Sequence, residues 1–470
     1  MRAIRYCIDS WYVAFLVANF VMGTSSVLIP LKLDRILDQG PRELGILSTC
    51  ASAAAVLGSL MWGRLSDAVD RRKAFVVASS LVVGVAHAGL ALSTTFARLL
   101  AFNTLLSFFW VANASVAVLL VIEHKQDRDW EASITALNLS GAVGWLLGLI
   151  AGAVAVTTTL AVLSETVGIR ALLAGLSGLA FAAAALAAWL IPSVKSVFTR
   201  RRFRGLVVAV GNLLLEAWRF NPLHLYHRLS LRKLKDLRHG TRQFLLASAL
   251  AFTGIAFFGV PLALLLSQRL GYPPSLVFYG YVMLHSGIVV AYPFALHRIK
   301  RRGNRRVQMG ALSSRVLLFV LGAVTLWLLP HLPWGAVAPF LFVTGLTWSF
   351  FQLSGVALAS RLAKPENRGL ALGTYNAVAG ASTTLAGVAS GALAEHVGYH
   401  ASYFVAAFLL LGAVLVLSRL PDPASADDST GDTKPLDSST DMREAQPGPQ
   451  SERGPLGRTA EKTAPSAPRR

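Results

Sequence analysis

Between Gly58 and Lys73 the chain reads Gly-Ser-Leu-Met-Trp-Gly-Arg-Leu-Ser-Asp-Ala-Val-Asp-Arg-Arg-Lys. An apolar run gives way at Gly63 to a predicted turn that carries the carboxylate of Asp67 and then three adjacent cations, Arg71, Arg72 and Lys73. A carboxylate set against a helix start is stabilised by unpaired N–H groups and the macrodipole, by up to ~2 kcal/mol. The alternative is an ordinary charged turn whose cations only set topology. Three more side chains could handle charge. Arg98 opens an apolar stretch, Glu123 closes it, and His285 lies midway along another. An arginine within a span is costly and functional, whereas one at its end can snorkel to water; both readings are open for Arg98. His285 either switches charge near neutral pH or stays a neutral imidazole bonded between helices, and the second reading is favoured.

These residues sit on elements that only a bilayer accommodates. Hydrophobic residues make up 54% of the 470-residue chain and charged residues 14%, where a soluble domain carries about a quarter. Mean hydropathy is +0.55. Twelve apolar stretches reach the roughly 20 residues that a bilayer core requires: 10–31, 43–65, 74–94, 98–122, 132–156, 169–191, 243–266, 275–296, 308–329, 335–360, 369–394 and 400–419. Lipid cannot satisfy open backbone groups and no alternating pattern appears, so the fold class is all-α integral membrane protein. No cleavable signal precedes the first stretch, which is read as a retained span. Cys7 and Cys50 are the two cysteines, and their placement argues against a disulfide. None of the twelve interiors holds Asp or Glu. Proton coupling therefore rests on His285 or Glu123, with facilitated diffusion, or symport through a substrate-bound proton, also open.

Net charge is +20, and the cations cluster after spans 2, 4, 8 and 10. The alternate connections 95–97, 157–168, 267–274 and 330–334 are poor in cations, and the loop after span 1 mixes Lys32, Arg35 and Arg42 with acids. The positive-inside bias puts the even-numbered connections and both termini in the cytoplasm. Residues 192–242 join two halves, 1–191 and 243–420. This segment holds twelve Lys or Arg against Glu216 and Asp236. Interleaved apolar residues favour basic amphipathic helices on anionic headgroups over a solvated linker. No soluble basic domain exists to hold nucleic acid. Residues 421–470 lack aromatics and read as a disordered cytoplasmic tail.

The halves echo each other. Ser107-Phe108-Phe109-Trp110 in span 4 parallels Ser349-Phe350-Phe351-Gln352 in span 10, and Thr135-Ala136-Leu137-Asn138 parallels Thr374-Tyr375-Asn376. With Gly63, Leu65, Asp67, Arg71 and Arg72, these features resemble the major facilitator superfamily and its signature loop G-x-L-x-D-x-x-G-R-[RK], over roughly 10–420. Asp70 replaces the second glycine. The resemblance implies twelve helices in two pseudo-symmetric six-helix bundles that rock about a midplane site. It implies that Asp67 latches the cytoplasmic side against the start of span 11, near Gly369. It gives Arg98 a link to protons or anions, and it makes spans 1, 4, 7 and 10, helped by 2, 5, 8 and 11, the walls of a central cavity. Those spans offer Asn19, Asn103, Trp110, Asn113, Asn138, Phe257, Tyr279, Tyr281, Trp348, Gln352, Tyr375 and Asn376. Gly141, Gly144, Gly148 and Gly152 resemble the span-5 antiporter motif without its proline, and close helix packing is the favoured reading.

No P-loop, metal-ligand spacing or nucleophile elbow is visible, so neither an enzyme nor a resident cofactor is expected. The expected function is alternating-access export or exchange of a small organic solute at the plasma membrane by a functional monomer. Uptake of a neutral metabolite such as a sugar is the runner-up. A non-transporting sensor or scaffold is the rival from another class.

Overall fold

A computed structural model describes residues 9–69, 72–124, 130–192, 239–329, 331–362 and 368–420. The connection expected at 192–242 and the tail expected at 421–470 lie almost wholly outside the described residues. Twelve long helices account for most of the rest: α1 Tyr12–Arg35, α2 Pro41–Val69, α3 Arg72–Leu92, α4 Phe96–His124, α5 Trp130–Val162, α6 Glu165–Leu190, α7 His239–Gly259, α8 Pro274–Arg302, α9 Asn304–Leu328, α10 Trp334–Arg361, α11 Arg368–His396 and α12 Tyr399–Ser418. Among the described residues eleven segments are long and apolar enough to cross a membrane. Side chains such as Leu92, Trp189, Leu317, Leu385 and Phe408 point outward. A soluble protein would bury them, and here they form the lipid-facing surface.

Helix pairing repeats between the halves. In the first, α1 packs on α5, α2 on α4, α3 on α6 and α3 on α4; in the second, α7 packs on α11, α8 on α10, α9 on α12 and α9 on α10. Every partner is displaced by six helices, as a duplicated six-helix bundle requires. The two halves meet mainly through α2 against α11 and α5 against α8.

Several expectations change. Gly63 does not open a turn: α2 continues through Asp67 to Val69, so Asp67 rides on the last helical turns. Lys32 and Arg35 belong to α1, not to the loop after it. The connection expected at 157–168 shrinks to Leu163 and Ser164, because α5 runs on to Val162. The seventh span is broken. Pro261 has no N–H to continue the ladder, and its ring excludes the preceding carbonyl. The chain resumes as a short turn Leu262–Leu264 that widens into a π-helical turn, Leu265–Arg269. The basic connection after span 8 is a single residue. Gly303, with φ 78° and ψ 158°, separates α8 from α9; that region of backbone space is open only to glycine. The cations Arg298 to Arg306 consequently decorate helix ends. Arg305 uses this position to donate to Leu417 O at 3.0 Å and Ser418 O at 2.6 Å, closing the C-terminus of α12.

Because the helices alternate in direction, Asp67, Arg72, Lys73, Arg305 and Arg361 share one end of the molecule, the basic end. Residues 34–42, 163–165, 268–274 and 395–399 share the other, cation-poor end.

Candidate functional site

The middle of the interface between the halves is set by glycine. On α5, Gly141, Gly144, Gly148 and Gly152 recur at helical spacing and form one face. Gly144 lies against Leu16 O and Gly148 against Phe20 O, so no Cβ fits at either position. Thr24 Oγ1 donates to Gly148 O at 2.6 Å across the same crossing. The glycines therefore pack α5 onto α1, which is the close-packing reading of that stripe. Trp145 lies within about 40° of the same face and reaches across the interface. Its indole stacks on His285 of α8, with centroids 6.1 Å apart and planes 21° apart.

Both rings have uncommitted polar atoms. His285 Nδ1 donates to Tyr281 O at 2.9 Å within its own helix, so the neutral ring carries its proton on Nδ1 and presents Nε2 as an acceptor. Trp145 Nε1 is buried with no hydrogen-bond partner among the described residues. Asn19 lies beside Gly141, one turn toward the basic end. It donates from Nδ2 to Phe15 O at 2.8 Å and has its oxygen to spare. An aromatic platform with an indole donor, an imidazole acceptor and an amide can hold a small polar solute with hydroxyl groups.

On the cation-poor side the halves are zipped together. Gly45 of α2 faces Gly387 of α11, and Gly391 faces Pro41 O. Thr49 inserts its hydroxyl into the α11 ladder: it donates to Thr384 O at 2.8 Å and accepts from Val388 N at 3.0 Å. Further out, Gln268 on the π-helical turn donates to Asp34 Oδ1 at 2.8 Å and to Gln39 O at 3.1 Å, and it accepts from Tyr399 at 3.3 Å. Arg42 N donates to Glu395 Oε2 at 3.0 Å. Arg35 donates to Tyr272 O at 3.3 Å and pairs with Asp34 at 3.2 Å. The break at Pro261 is what brings Gln268 to this junction.

Other expected residues are placed elsewhere. Asn113 is buried between α3 and α4, where Ser79 donates to it at 3.1 Å and it donates to Ser80 at 3.3 Å; it is spent inside the first half. Tyr375 is buried in the second half, stacked on Phe244 at 5.7 Å. Asn103 and Phe257 are buried, Trp110 is half-buried, and Asn138, Tyr279 and Asn376 are exposed. Trp348 and Gln352 lie on the α10 face that carries Thr344, which meets α9. Arg98 is exposed at the cation-poor end of α4, where an arginine can reach water. Arg72 and Lys73 are half-buried at the start of α3, and Gly369 lies in the first turn of α11. Arg71 and the side chains of Asp67 and Glu123 lie outside the described residues.

Four important residues escaped the sequence reading. Trp145 shares the glycine face of α5, and that register could have revealed it. Lys32 is fully buried in α1 and donates to Leu90 O and, at 3.0 Å, to Ala91 O, closing the end of α3. His87 is fully buried in α3 and its Nε2 meets Ser25 Oγ at 2.6 Å. Arg315 is buried midway along α9. A cation inside an apolar window was the available signal for Arg315, as for any ionisable group at membrane depth.

The family model described as Major Facilitator Superfamily matches residues 11–352 and 315–456. Sugar efflux transporter A of Escherichia coli (strain K12) is 23% identical over 431 residues, spanning 87% of this chain and 96% of that protein. Among solved structures, a D-xylose-proton symporter superposes with a TM-score of 0.64 at 12% identity, covering 88% of this chain and 98% of that one. The nucleoside transporter NupG gives 0.60 at 13% identity, over 89% and 99%. A duplicated six-helix bundle, a midplane cluster between its halves and a family match over most of its length lead to one conclusion: the chain belongs to the Major Facilitator Superfamily of membrane transporters.

Proposed function

We propose that this protein exports a sugar or a comparably small hydroxylated solute across the plasma membrane by alternating access, with the solute held at Trp145, His285 and Asn19. The observation that carries this reading is the Trp145–His285 stack at the junction of the halves, with an indole donor that nothing else occupies. Similarity to a protein named as a sugar efflux transporter supports both the solute class and the direction. The positive-inside bias supports a cytoplasmic basic end, so the zipped end faces out. The functional unit is a monomer without nucleic-acid partners, and residues 192–242 rest on anionic headgroups. His285 is the coupling residue in this reading, because no carboxylate lies in a span interior.

The test is counterflow of a panel of mono- and disaccharides in proteoliposomes, with and without an imposed pH gradient. One sugar should exchange saturably. Trp145→Ala should raise its half-saturation by about tenfold or more, the loss typical of truncating a buried aromatic contact. His285→Ala should remove the response to the gradient. A panel with no saturable member, or a Trp145→Ala protein that matches the parent, sinks the proposal.

Asp67 enters as the latch of the opposite state, in which the basic end is shut. Asp67→Asn should then enrich the form with the cation-poor end closed and slow counterflow by roughly tenfold, since one latch of this kind is worth up to ~2 kcal/mol. The reactivity of Cys50 toward an impermeant maleimide, in a Cys7→Ser background, reports the cation-poor end. It should fall in Asp67→Asn; an unchanged rate removes Asp67 from the gate.

A further inference from the structure

The second half contains a row of buried polar atoms that the central site does not use. On α9, Asn304, Gln308 and Arg315 lie on one face, within about 40° of each other. They are 4%, 1% and 2% exposed. Both side-chain polar atoms of Asn304, Oε1 of Gln308 and Nε of Arg315 lack partners among the described residues. Opposite them, α10 contributes Oε1 of Gln352 and α11 the hydroxyl of Tyr375, both also unpartnered. Gly355 of α10 leaves the gap in which Tyr375 Oη and Gln308 Nε2 converge: they lie 2.5 and 3.3 Å from where its Cβ would be. Buried polar atoms of native proteins are nearly always satisfied, by protein, water or ligand. Six such atoms in one seam, from the basic end to mid-membrane, are groups that water or a ligand would satisfy.

Arg315 ends that row. Its guanidinium stays charged in proteins and carries five donors. One of them, on Nη2, bonds Thr344 O at 2.9 Å. The rings of Trp348 and Phe319 lie 5.5 and 5.9 Å from its central carbon. Arg35 pairs with Asp34 and Glu165 at the cation-poor end, away from Arg315, and no span interior holds Asp or Glu. One carbonyl and two ring faces offset only part of a full positive charge at this depth, and no counter-charge is supplied from the spans. We infer that Arg315 binds a small inorganic anion of halide size, reached through the Asn304–Gln308–Tyr375 seam and distinct from the central solute site.

Trp348 is a built-in reporter, because its ring faces the guanidinium. Iodide quenching of intrinsic fluorescence is measured on the full chain in nanodiscs, at constant ionic strength with gluconate as the balancing anion. Subtraction of the Trp348→Phe signal isolates Trp348. Iodide should quench this component saturably, and chloride should shift the curve in competition. Arg315→Gln should weaken iodide by at least about tenfold, as loss of a charge-assisted contact does, whereas Arg315→Lys should retain saturation. Gly355→Ala, which closes the gap while keeping the cation, should slow or weaken iodide access and so tests the route if Arg315→Gln does not fold. Quenching that rises linearly with iodide, or that matches neutral acrylamide in parent and Arg315→Gln alike, would mean water without a bound anion and overturns the inference.

Discussion

Gly387→Val is expected to hold the cation-poor end open and to stop turnover while leaving both halves folded. The close neighbours of a Cβ at position 387 all belong to α2: Thr49 Oγ1, Gly45 O and Thr49 N, the last two at 3.0 and 3.1 Å. Two of these are backbone atoms and cannot step aside. Overpacking of this kind costs about 1–3 kcal/mol, and the whole cost falls on the closed form, because α2 and α11 belong to different halves. A penalty of about 2 kcal/mol shifts a two-state population roughly thirtyfold. Thr49 would also lose its place between Thr384 O and Val388 N. Cys50, half-buried next to Thr49, supplies the readout: its maleimide reactivity in the Cys7→Ser background should rise by about tenfold or more, and counterflow should vanish. If reactivity and flux both match the parent, the α2–α11 seam is not a moving contact.

How much of this was readable beforehand depended on the kind of signal. Helix number followed from apolar length, because bilayer thickness fixes how long a span must be; which helices pair, and how far α5 runs past the expected end, did not. The glycine stripe of α5 was legible as a contact face. Register within a span was harder. Asn113 and Asn103 looked like cavity amides, yet Asn113 is consumed by two serines of α3, and no hydropathy pattern distinguishes inward from sideways on an all-apolar helix. The break after Gly259 rests on Pro261, which the reading of 243–266 as one continuous span passed over, and the π-helical turn that aims Gln268 at Asp34 depends on how α7 meets α1. The cation-poor zipper was illegible altogether. It joins residues more than 330 positions apart and consists of Gly, Thr and main chain, types that carry no chemical flag.

The same substitution within one half should have the opposite consequence. Gly345 of α10 faces Leu284 O of α8, with Ile288 N at 3.2 Å, and Gly287 of α8 returns the contact against Phe342 O. Ser349 donates to Ile288 O at 2.7 Å one turn further along. This reciprocal crossing brings the two backbones together where lipid offers no hydrophobic drive, so packing and the hydroxyl bond must hold it. If the halves rock as proposed, α8 and α10 move as one body, and Gly345→Val forces their axes apart in every state of the cycle. The cost, about 3 kcal/mol or more, therefore appears as lost stability rather than a shifted gate. The apparent Tm in detergent should fall by roughly 5–10 °C, with Cys50 reactivity unchanged below the transition. Gly387→Val should leave Tm within about 2 °C of the parent, because its penalty is relieved by opening. If both variants lose stability equally, α2–α11 and α8–α10 belong to one rigid unit, and rocking between the halves is the wrong description of this transporter.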